Sequence, residues 1–309
     1  MNALRAALVL ALAGGMVMTW FFRRHPLRVQ SLWRNLIFTG ISLAVLLPFL
    51  WMIAGAFKDK SVINSYLLFP PPSRWSWETV NLENFKLLFA PVQQQGKTVY
   101  FWHYMLNSMF LACTTTILQL VTSSLAGFAL AFYRFRGREW LFSFMVATMM
   151  IPSLILFAPL YGLIHRLGWM DNYAAIILPA AINVFGIVLF RQSMLGLSRE
   201  LLEAGRIDGC GEFRIYYRIV LPLMRPISAA FSLVAFLTAW GNFLGPNIFL
   251  QSREKLPLPV ILNMYVGQFS EQYGVFLAGT LLAVIPPAIL FLALQKEFVQ
   301  GLTSGAVKG

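Results

Sequence analysis

The chain has 309 residues, of which 58% are hydrophobic and only 12% are charged, and its mean hydropathy is +0.68. This composition excludes an ordinary soluble globular protein and is typical of a polytopic membrane protein. A net charge of +12 would suggest nucleic-acid binding only if it were concentrated on one surface, and most of the basic residues are instead spread over four separate loops. We therefore expect a lipid bilayer as a partner and no nucleic acid.

Apolar runs of about 20 residues, the length that crosses a ~30 Å hydrocarbon core, recur along the whole chain. They contain no Asp, Glu, Lys, Arg or His, and they predict an all-α polytopic protein with six core transmembrane helices and one extra N-terminal helix. The first run could instead be a secretory signal cleaved after Ala11-Leu12-Ala13, but its apolar stretch is short and Arg23-Arg24 follows directly. The runs lie at 6–22, 36–57, 105–133, 140–164, 174–190, 227–250 and 275–295.

The basic residues predict the orientation of these spans. Loops on one side hold 15 of the 24 Lys and Arg residues, which the positive-inside rule assigns to the cytoplasm. The C-terminus and the loop 191–226 are therefore predicted to be cytoplasmic. The N-terminus and the loops 58–104 and 251–274 are predicted to be extracytoplasmic.

The loop 191–226 has a defined internal pattern. Ser198 can cap a short helix over 199–208, and Gly209 suits the position after its C-terminus. A second helix is predicted from Glu212 to Leu221, ended by Pro222, with one apolar face at helical spacing. That face would comprise Phe213, Tyr216, Tyr217 and Val220. Two such helices at an angle form a rigid elbow.

Specific residues of this loop resemble a known family. Glu203-Ala204, then Asp208-Gly209 and Leu221-Pro222, resemble the EAA signature of bacterial ABC-importer permeases. Gly205 stands where the signature usually has alanine, which should loosen the helix by up to ~1 kcal/mol. The tail 301–309 resembles the carbohydrate, maltose-transporter-like branch of this family. One departure from the pattern of that branch is Gly241, which separates Trp240 from Asn242. Further matches to the family are Asn107-Ser108, Phe135-Arg136-Gly137, Ile151-Pro152, Leu167-Gly168 and Trp240-Gly241-Asn242.

The resemblance covers roughly 36–309 and implies a division of the chain into 1–34, an extra helix with a basic linker, and 35–309, an importer transmembrane domain. It implies that the loop 191–226 docks into two-subunit cytoplasmic ATPase machinery that binds ATP and Mg²⁺, with no cofactor in this chain. It further implies a second homologous permease, an extracytoplasmic solute-binding protein, a sugar substrate and a bacterial inner-membrane location. The implied coupling residues are Glu203, Ala204, Gly205, Asp208, Gly209, Leu221 and Pro222.

Polar, uncharged residues inside the predicted spans are candidates for the translocation path. Sugars are bound by neutral hydrogen-bonding groups and aromatic faces, so Gln119, Asn183, Trp240 and Asn242 are candidates to line it. The alternative is that such amides bridge neighbouring helices.

Other classes of function remain as alternatives. The same importer type could carry a polyol, a glycerol phosphate or a peptide, and a passive channel or facilitator is a different class. An enzyme is disfavoured because no catalytic or metal-binding constellation occurs, and His25, His103 and His165 are predicted to lie in loops or at span ends on different sides. Proton-driven transporters place charged residues or His within the membrane. Because the predicted spans contain none, the energy for uphill transport is expected to come from a source outside the bilayer.

Overall fold

The computed structural model describes residues 26–94, 96–267 and 272–306, so the predicted first span at 6–22 lies outside the described residues. The longest helices are α1 Pro26–Phe57, α3 Phe101–Phe132 and α14 Tyr273–Ala306. The others are α2 Glu83–Phe89, α4 Arg138–Thr148, α5 Phe157–Arg166, α6 Ala174–Ala180, α7 Val184–Met194, α8 Arg199–Ile207, α9 Glu212–Ile215, α10 Leu221–Leu223, α11 Arg225–Trp240, α12 Leu244–Phe249 and α13 Leu258–Gly267.

Short elements complete the described chain. A π-helical stretch, Tyr216–Val220, joins α9 to α10. The strands β1 Val92–Gln94 and β2 Lys97–Val99 form an antiparallel hairpin in which Val92 lies opposite Val99. Single 3₁₀ turns occupy Pro72–Arg74, Ser153–Leu156 and Arg253–Lys255.

The predicted all-α class is confirmed. Within the described residues, five helical segments are long and apolar enough to cross a membrane, and a sixth crossing is present if α4 and α5 form one broken span. These five are Trp33–Phe57, Phe101–Phe132, Ala174–Met194, Arg225–Phe249 and Tyr273–Glu297.

The predicted span 140–164 is broken far more sharply than a kinked helix. The chain bends by 94° between Arg138–Thr148 and Ser153–Arg166. Pro152 lies at the break, where it lacks a backbone N–H and disfavours the helical conformation of the residue before it. Pro159 lies in the first turn of α5, where no intrahelical N–H donor is needed, so only one of the two prolines interrupts the segment.

Other predicted segments also differ in detail. The span 174–190 is divided at 181–183, where Asn183 caps α7 by accepting a 3.0 Å hydrogen bond from the Gly186 N–H. The predicted loop 251–274 contains the buried helix α13, whose Leu258 and Val260 are each 1% exposed. Alternation and length alone do not distinguish such a short buried helix from an apolar loop.

The helix α3 is the centre of the bundle. It packs along α7 and α11, while α14 packs on α11 and α1. The close contact with α7 depends on Gly127, where an added Cβ would lie 2.6 Å from Phe190 Cβ and 2.9 Å from the Arg191 backbone N. Two buried apolar clusters follow α3, one near its Phe101 end and one near its Phe132 end.

A charged clamp joins the loop after α5 to the segment after α12. Asp171 adopts a left-handed backbone conformation with φ of +56°. Its Oδ1 accepts hydrogen bonds from the backbone N–H groups of Gln251 and Ser252 at 3.0 and 2.9 Å. Its Oδ2 accepts from Ser252 Oγ at 2.5 Å and from Lys255 Nζ at 2.8 Å. Partial burial would raise the pKa of Asp171, but these donors outweigh burial and hold the pKa well below its ordinary value.

The clamp predicts a specific effect of Asp171→Asn. Asparagine also tolerates left-handed backbone, so this variant removes the charge with little backbone strain and should lower stability by about 1–2 kcal/mol. Because the folded pKa is depressed, the carboxylate's contribution is present above its unfolded pKa of about 3.9 and is lost as pH falls through the folded pKa. Thermal unfolding of wild type and variant at pH 7 and pH 5 should therefore show the same difference at both values, and a difference that vanishes at pH 5 would contradict this account.

Candidate functional site

The helix α8 forms as predicted in the loop 191–226. Ser198 caps it, since its side chain accepts a 3.2 Å hydrogen bond from the Glu200 N–H. Gly209 follows the C-terminus of α8 with a φ of +75°, a backbone conformation that residues with a Cβ rarely adopt. The Cys210 N–H then bonds to the Gly205 carbonyl at 2.9 Å, which closes the helix end.

The inner face of α8 packs tightly against the following segment. Leu202 and Gly205 are buried. A Cβ at Gly205 would lie 2.8 Å from Ile219 Cδ1 and 3.3 Å from Ile215 Cγ1. Gly205 therefore faces inward, and its lack of a side chain permits close packing that can offset the expected loosening of the helix.

A hydrogen-bonded triad fixes the angle of the elbow. Arg206 Nε donates to Glu212 Oε1 at 2.8 Å, and Arg206 also donates to Glu212 Oε2 at 3.3 Å. Tyr133, directly after α3, donates its hydroxyl to Glu212 Oε2 at 2.8 Å. Arg206 and then Tyr133 lower the pKa of Glu212, and burial together with Glu212 raises the pKa of Tyr133 to about 12. The triad connects α8 to the end of α3 through groups that stay in one protonation state near neutral pH.

The second half of the elbow differs from its prediction. Tyr216 and Val220 are buried as expected, but Phe213 and Tyr217 are 73% and 62% exposed. The π-helical stretch pairs residues five apart, so Ile215 and Val220 share the buried face instead. The helical run continues past the predicted end at Leu221 and ends at Leu223, one residue after Pro222.

This elbow is attached directly to the transmembrane bundle. Tyr216 Oη and Ser124 Oγ of α3 lie 2.8 Å apart in a buried hydrogen bond. The rings of Tyr216 and Phe128 are 5.4 Å apart between centroids. Leu202, Ile215 and Val220 belong to the buried cluster that also contains Phe190 and Phe231 of the spans. Buried contacts therefore join the elbow directly to α3.

The opposite side of α8 presents a continuous exposed surface, which we call the α8 face. Ile207 is 86% exposed and Leu201 45% exposed, although both are apolar. Both side chains are accessible from outside the chain on this side of the helix. The α8 face consists of Leu201, Glu203, Ala204, Ile207 and Asp208, and Gly209 is exposed beside it. Of the remaining predicted coupling residues, Pro222 is exposed and Leu221 is partly buried.

The residues predicted to line the translocation path do not all line the same cavity. Gln119 and Asn242 line a cavity of about 240 Å³. Asn183 donates to Gln119 Oε1 at 3.2 Å, and Gln119 Nε2 donates to the Ala180 carbonyl at 2.7 Å. Gln119 and Asn183 thus bridge α3 to the α6–α7 break, as the alternative interpretation predicted.

Trp240 is placed elsewhere. Its ring is buried, its Nε1 donates to the Ala283 carbonyl at 3.2 Å, and it lines a second, mostly apolar cavity of about 490 Å³. The polar side chains of the first cavity are Ser108, Thr115, Gln119, Thr238 and Asn242, all uncharged. Ser108, Thr115 and Thr238 were not among the predicted path residues.

The triad residues Arg206, Glu212 and Tyr133 were also not among the predicted site residues. Two of them carried a signal: Arg206 and Glu212 have opposite charges on either side of a turn that contains Gly209 and Gly211. Tyr133 carried none, because its proximity to Glu212 depends on how α3 meets the elbow.

Comparisons with known proteins agree with this architecture. The family described as "Binding-protein-dependent transport system inner membrane component" matches residues 119–304. The chain is 36% identical over 274 residues to the arabinooligosaccharides transport system permease protein AraQ of Halalkalibacterium halodurans, covering 88% of this chain and 94% of that protein. It is 32% identical over 295 residues to the lactose transport system permease protein LacG of Rhizobium radiobacter, covering 94% and 100%.

The fold also matches a solved structure. A chain of a bacterial ABC transporter involved in the import of the acidic polysaccharide alginate superposes with a TM-score of 0.73 at 21% identity, covering 88% of this chain and 97% of that chain. This likeness concerns the fold. The family match over residues 119–304 and the identity to AraQ and LacG show that the chain belongs to the binding-protein-dependent transport system inner membrane components, the multi-pass permease subunits of ABC importers.

Proposed function

We propose that this permease forms half of the translocation path of an ATP-driven sugar or oligosaccharide importer, and that the α8 face is the docking site for a cytoplasmic ATPase subunit. The observation that carries the proposal is the two-sidedness of α8. One side is packed through Leu202 and Gly205 onto the segment that holds Tyr216 against α3, and the other exposes Ile207 and Glu203. An ATPase subunit could bind the exposed side of α8, and a movement of α8 would then displace α3 through the packed side.

The remaining subunits follow from this role. A second homologous permease would supply the other half of the path, and two ATPase subunits would bind ATP and Mg²⁺. An extracytoplasmic solute-binding protein would deliver the substrate, in keeping with the binding-protein-dependent family. With the α8 face in the cytoplasm, the C-terminus would also be cytoplasmic and the N-terminus extracytoplasmic.

The chemistry of the first cavity supports a neutral substrate. Its lining offers hydroxyl and amide groups and contains no Lys, Arg or His. Hydroxyl and amide groups suit the hydroxyls of a sugar, whereas a buried glycerol phosphate would require a cation or a set of N–H donors for its charge. Both relatives described above are permeases for sugars, by the substrates in their names. Because the predicted spans contain no Asp, Glu, Lys, Arg or His, transport against a gradient would draw its energy from the ATPase rather than from a proton relay.

Site-specific crosslinking tests the docking site. Cys113 and Cys210 would be replaced by alanine, a cysteine introduced at the exposed Ala204, and the transporter expressed with its neighbouring subunits. A short cysteine-reactive photocrosslinker at residue 204 is expected to capture an ATPase subunit, identified by mass spectrometry.

The matched control is Glu78→Cys, an exposed position in the loop 58–104 on the other side of the bundle. It should capture no ATPase. Capture of the ATPase from residue 78, or its absence from residue 204 in a complex that still contains the ATPase, would contradict the proposed docking site.

A further inference from the structure

The loop of residues 66–77, which we call the aromatic loop, exposes an unusual amount of apolar surface. Trp77 is 83% exposed, Leu67 66% and Trp75 57%. Leu68 and Phe69 are exposed beside them. None of these residues belongs to a helix predicted to cross the membrane, and neither the path nor the elbow uses them.

The exposure does not result from a lack of structure. Lys58, whose side chain is fully buried, donates from Nζ to the Ile63 carbonyl at 3.0 Å and to the Tyr66 carbonyl at 2.6 Å. Arg74 donates to Tyr66 Oη at 2.8 Å, and Trp75 Nε1 donates to the Pro70 carbonyl at 2.6 Å. The loop is therefore held in one shape that presents these apolar side chains outward.

Hydrogen bonds also tie the chain just after this loop to the end of the first described span. The first described span ends at Phe57. The Asn81 N–H bonds to the Phe57 carbonyl at 2.9 Å, and the Asp59 N–H bonds to the Thr79 carbonyl at 3.1 Å. Trp77 is two residues from Thr79, a reach of at most about 7 Å. The polar interface on each side of the hydrocarbon core is about 5–7 Å thick, so Trp77 lies within reach of it.

We propose that the aromatic loop rests in the lipid headgroup region as an interfacial anchor for the Phe57 end of α1. Trp side chains are enriched at this depth because the ring is apolar and its N–H is polar. Arg74, exposed on the same loop, supplies a cation for lipid phosphates. The loop follows α1 in the chain, and residues 33–51 of α1 are exposed in this chain, as a lipid-facing surface would be.

Depth-dependent fluorescence quenching tests the anchor on the assembled transporter in lipid nanodiscs. A cysteine-free background carries Trp77→Cys labelled with an environment-sensitive fluorophore. Lipids brominated near the headgroup are expected to quench this label about twofold more strongly than they quench the same label at Gln93→Cys, in the polar hairpin, and more strongly than lipids brominated at the chain end. Aqueous iodide should show the reverse order between the two positions.

Equal lipid quenching at residues 77 and 93 would overturn the proposal by placing the loop in water. Protection of residue 77 from both lipid and iodide would also overturn it, because a protein subunit would then cover the loop. If Trp77→Cys fails to assemble, Leu67→Cys provides the same measurement, since Leu67 is 66% exposed on the same loop.

Discussion

Replacing Gly127 with alanine is expected to destabilise the folded permease by about 3 kcal/mol, the upper end of the usual cost of overpacking a core. The added methyl group would lie 2.6 Å from Phe190 Cβ and 2.9 Å from the Arg191 backbone N. Both are atoms close to or within the backbone of α7, so rotating a side chain cannot relieve the clash, and α3 and α7 must separate. The yield of monodisperse protein in detergent and its thermal unfolding temperature would report the effect.

Gly40→Ala is the matched control for this variant. Gly40 is also within a long helix, but no atom lies within 4 Å of its added Cβ. Because alanine is favoured over glycine in helices by about 1 kcal/mol, the control should leave the unfolding temperature unchanged or raise it. Similar losses in both variants would show that the α3–α7 contact is not the cause.

Reversing the charge of Glu212 to lysine is expected to reduce ATP-driven uptake about fivefold, within the range found for residues that couple two sites, while the protein still assembles. The lysine would repel Arg206 and leave the Tyr133 hydroxyl without its acceptor. The Arg206–Glu212 pair is well exposed and contributes little to stability, so its loss should change the angle of the elbow rather than the fold. Uptake into proteoliposomes and ATP hydrolysis, measured on the same preparation, separate coupling from assembly.

A charge swap makes this prediction specific. Arg206→Glu and Glu212→Arg should each lower the ratio of uptake to hydrolysis, and the double variant should restore part of it by re-forming the ion pair. Tyr133→Phe should give a smaller loss, because the ion pair remains. A double variant no better than either single variant would mean that the pair does not position the elbow, and the crosslink from Ala204 would still test the docking site independently.

Local features of the fold could be read from the sequence because their causes are local. Ser198 and Gly209 delimit α8 through a side-chain cap and a left-handed backbone position, and both are recognisable from residue type. The spans were recognisable because any helix that crosses a bilayer needs about 20 consecutive apolar residues, whatever its tertiary contacts. The EAA-type spacing identified the loop 191–226, although it did not indicate which side of α8 faces a partner.

The orientation and the partners of the candidate site residues depend on contacts between segments that are distant in the sequence. Residue type alone could not predict these contacts. Gly205 faces Ile219 rather than a partner, and Gln119 and Asn183 satisfy each other across two helices. Trp240 and Asn242, two residues apart, line different cavities.

The sequence by itself determined the class of this protein, its apolar spans and the helix that bears the coupling signature, since each depends on composition or on neighbours along the chain. Only the tertiary structure decided which polar side chains bond to one another, which remain available in a cavity, and how Arg206, Glu212 and Tyr133 meet. The physical reason is that a buried polar group must find its hydrogen-bond partner wherever the packing of helices brings one. That partner is often more than fifty residues away, as Ser124 and Tyr216 are, with a separation of 92.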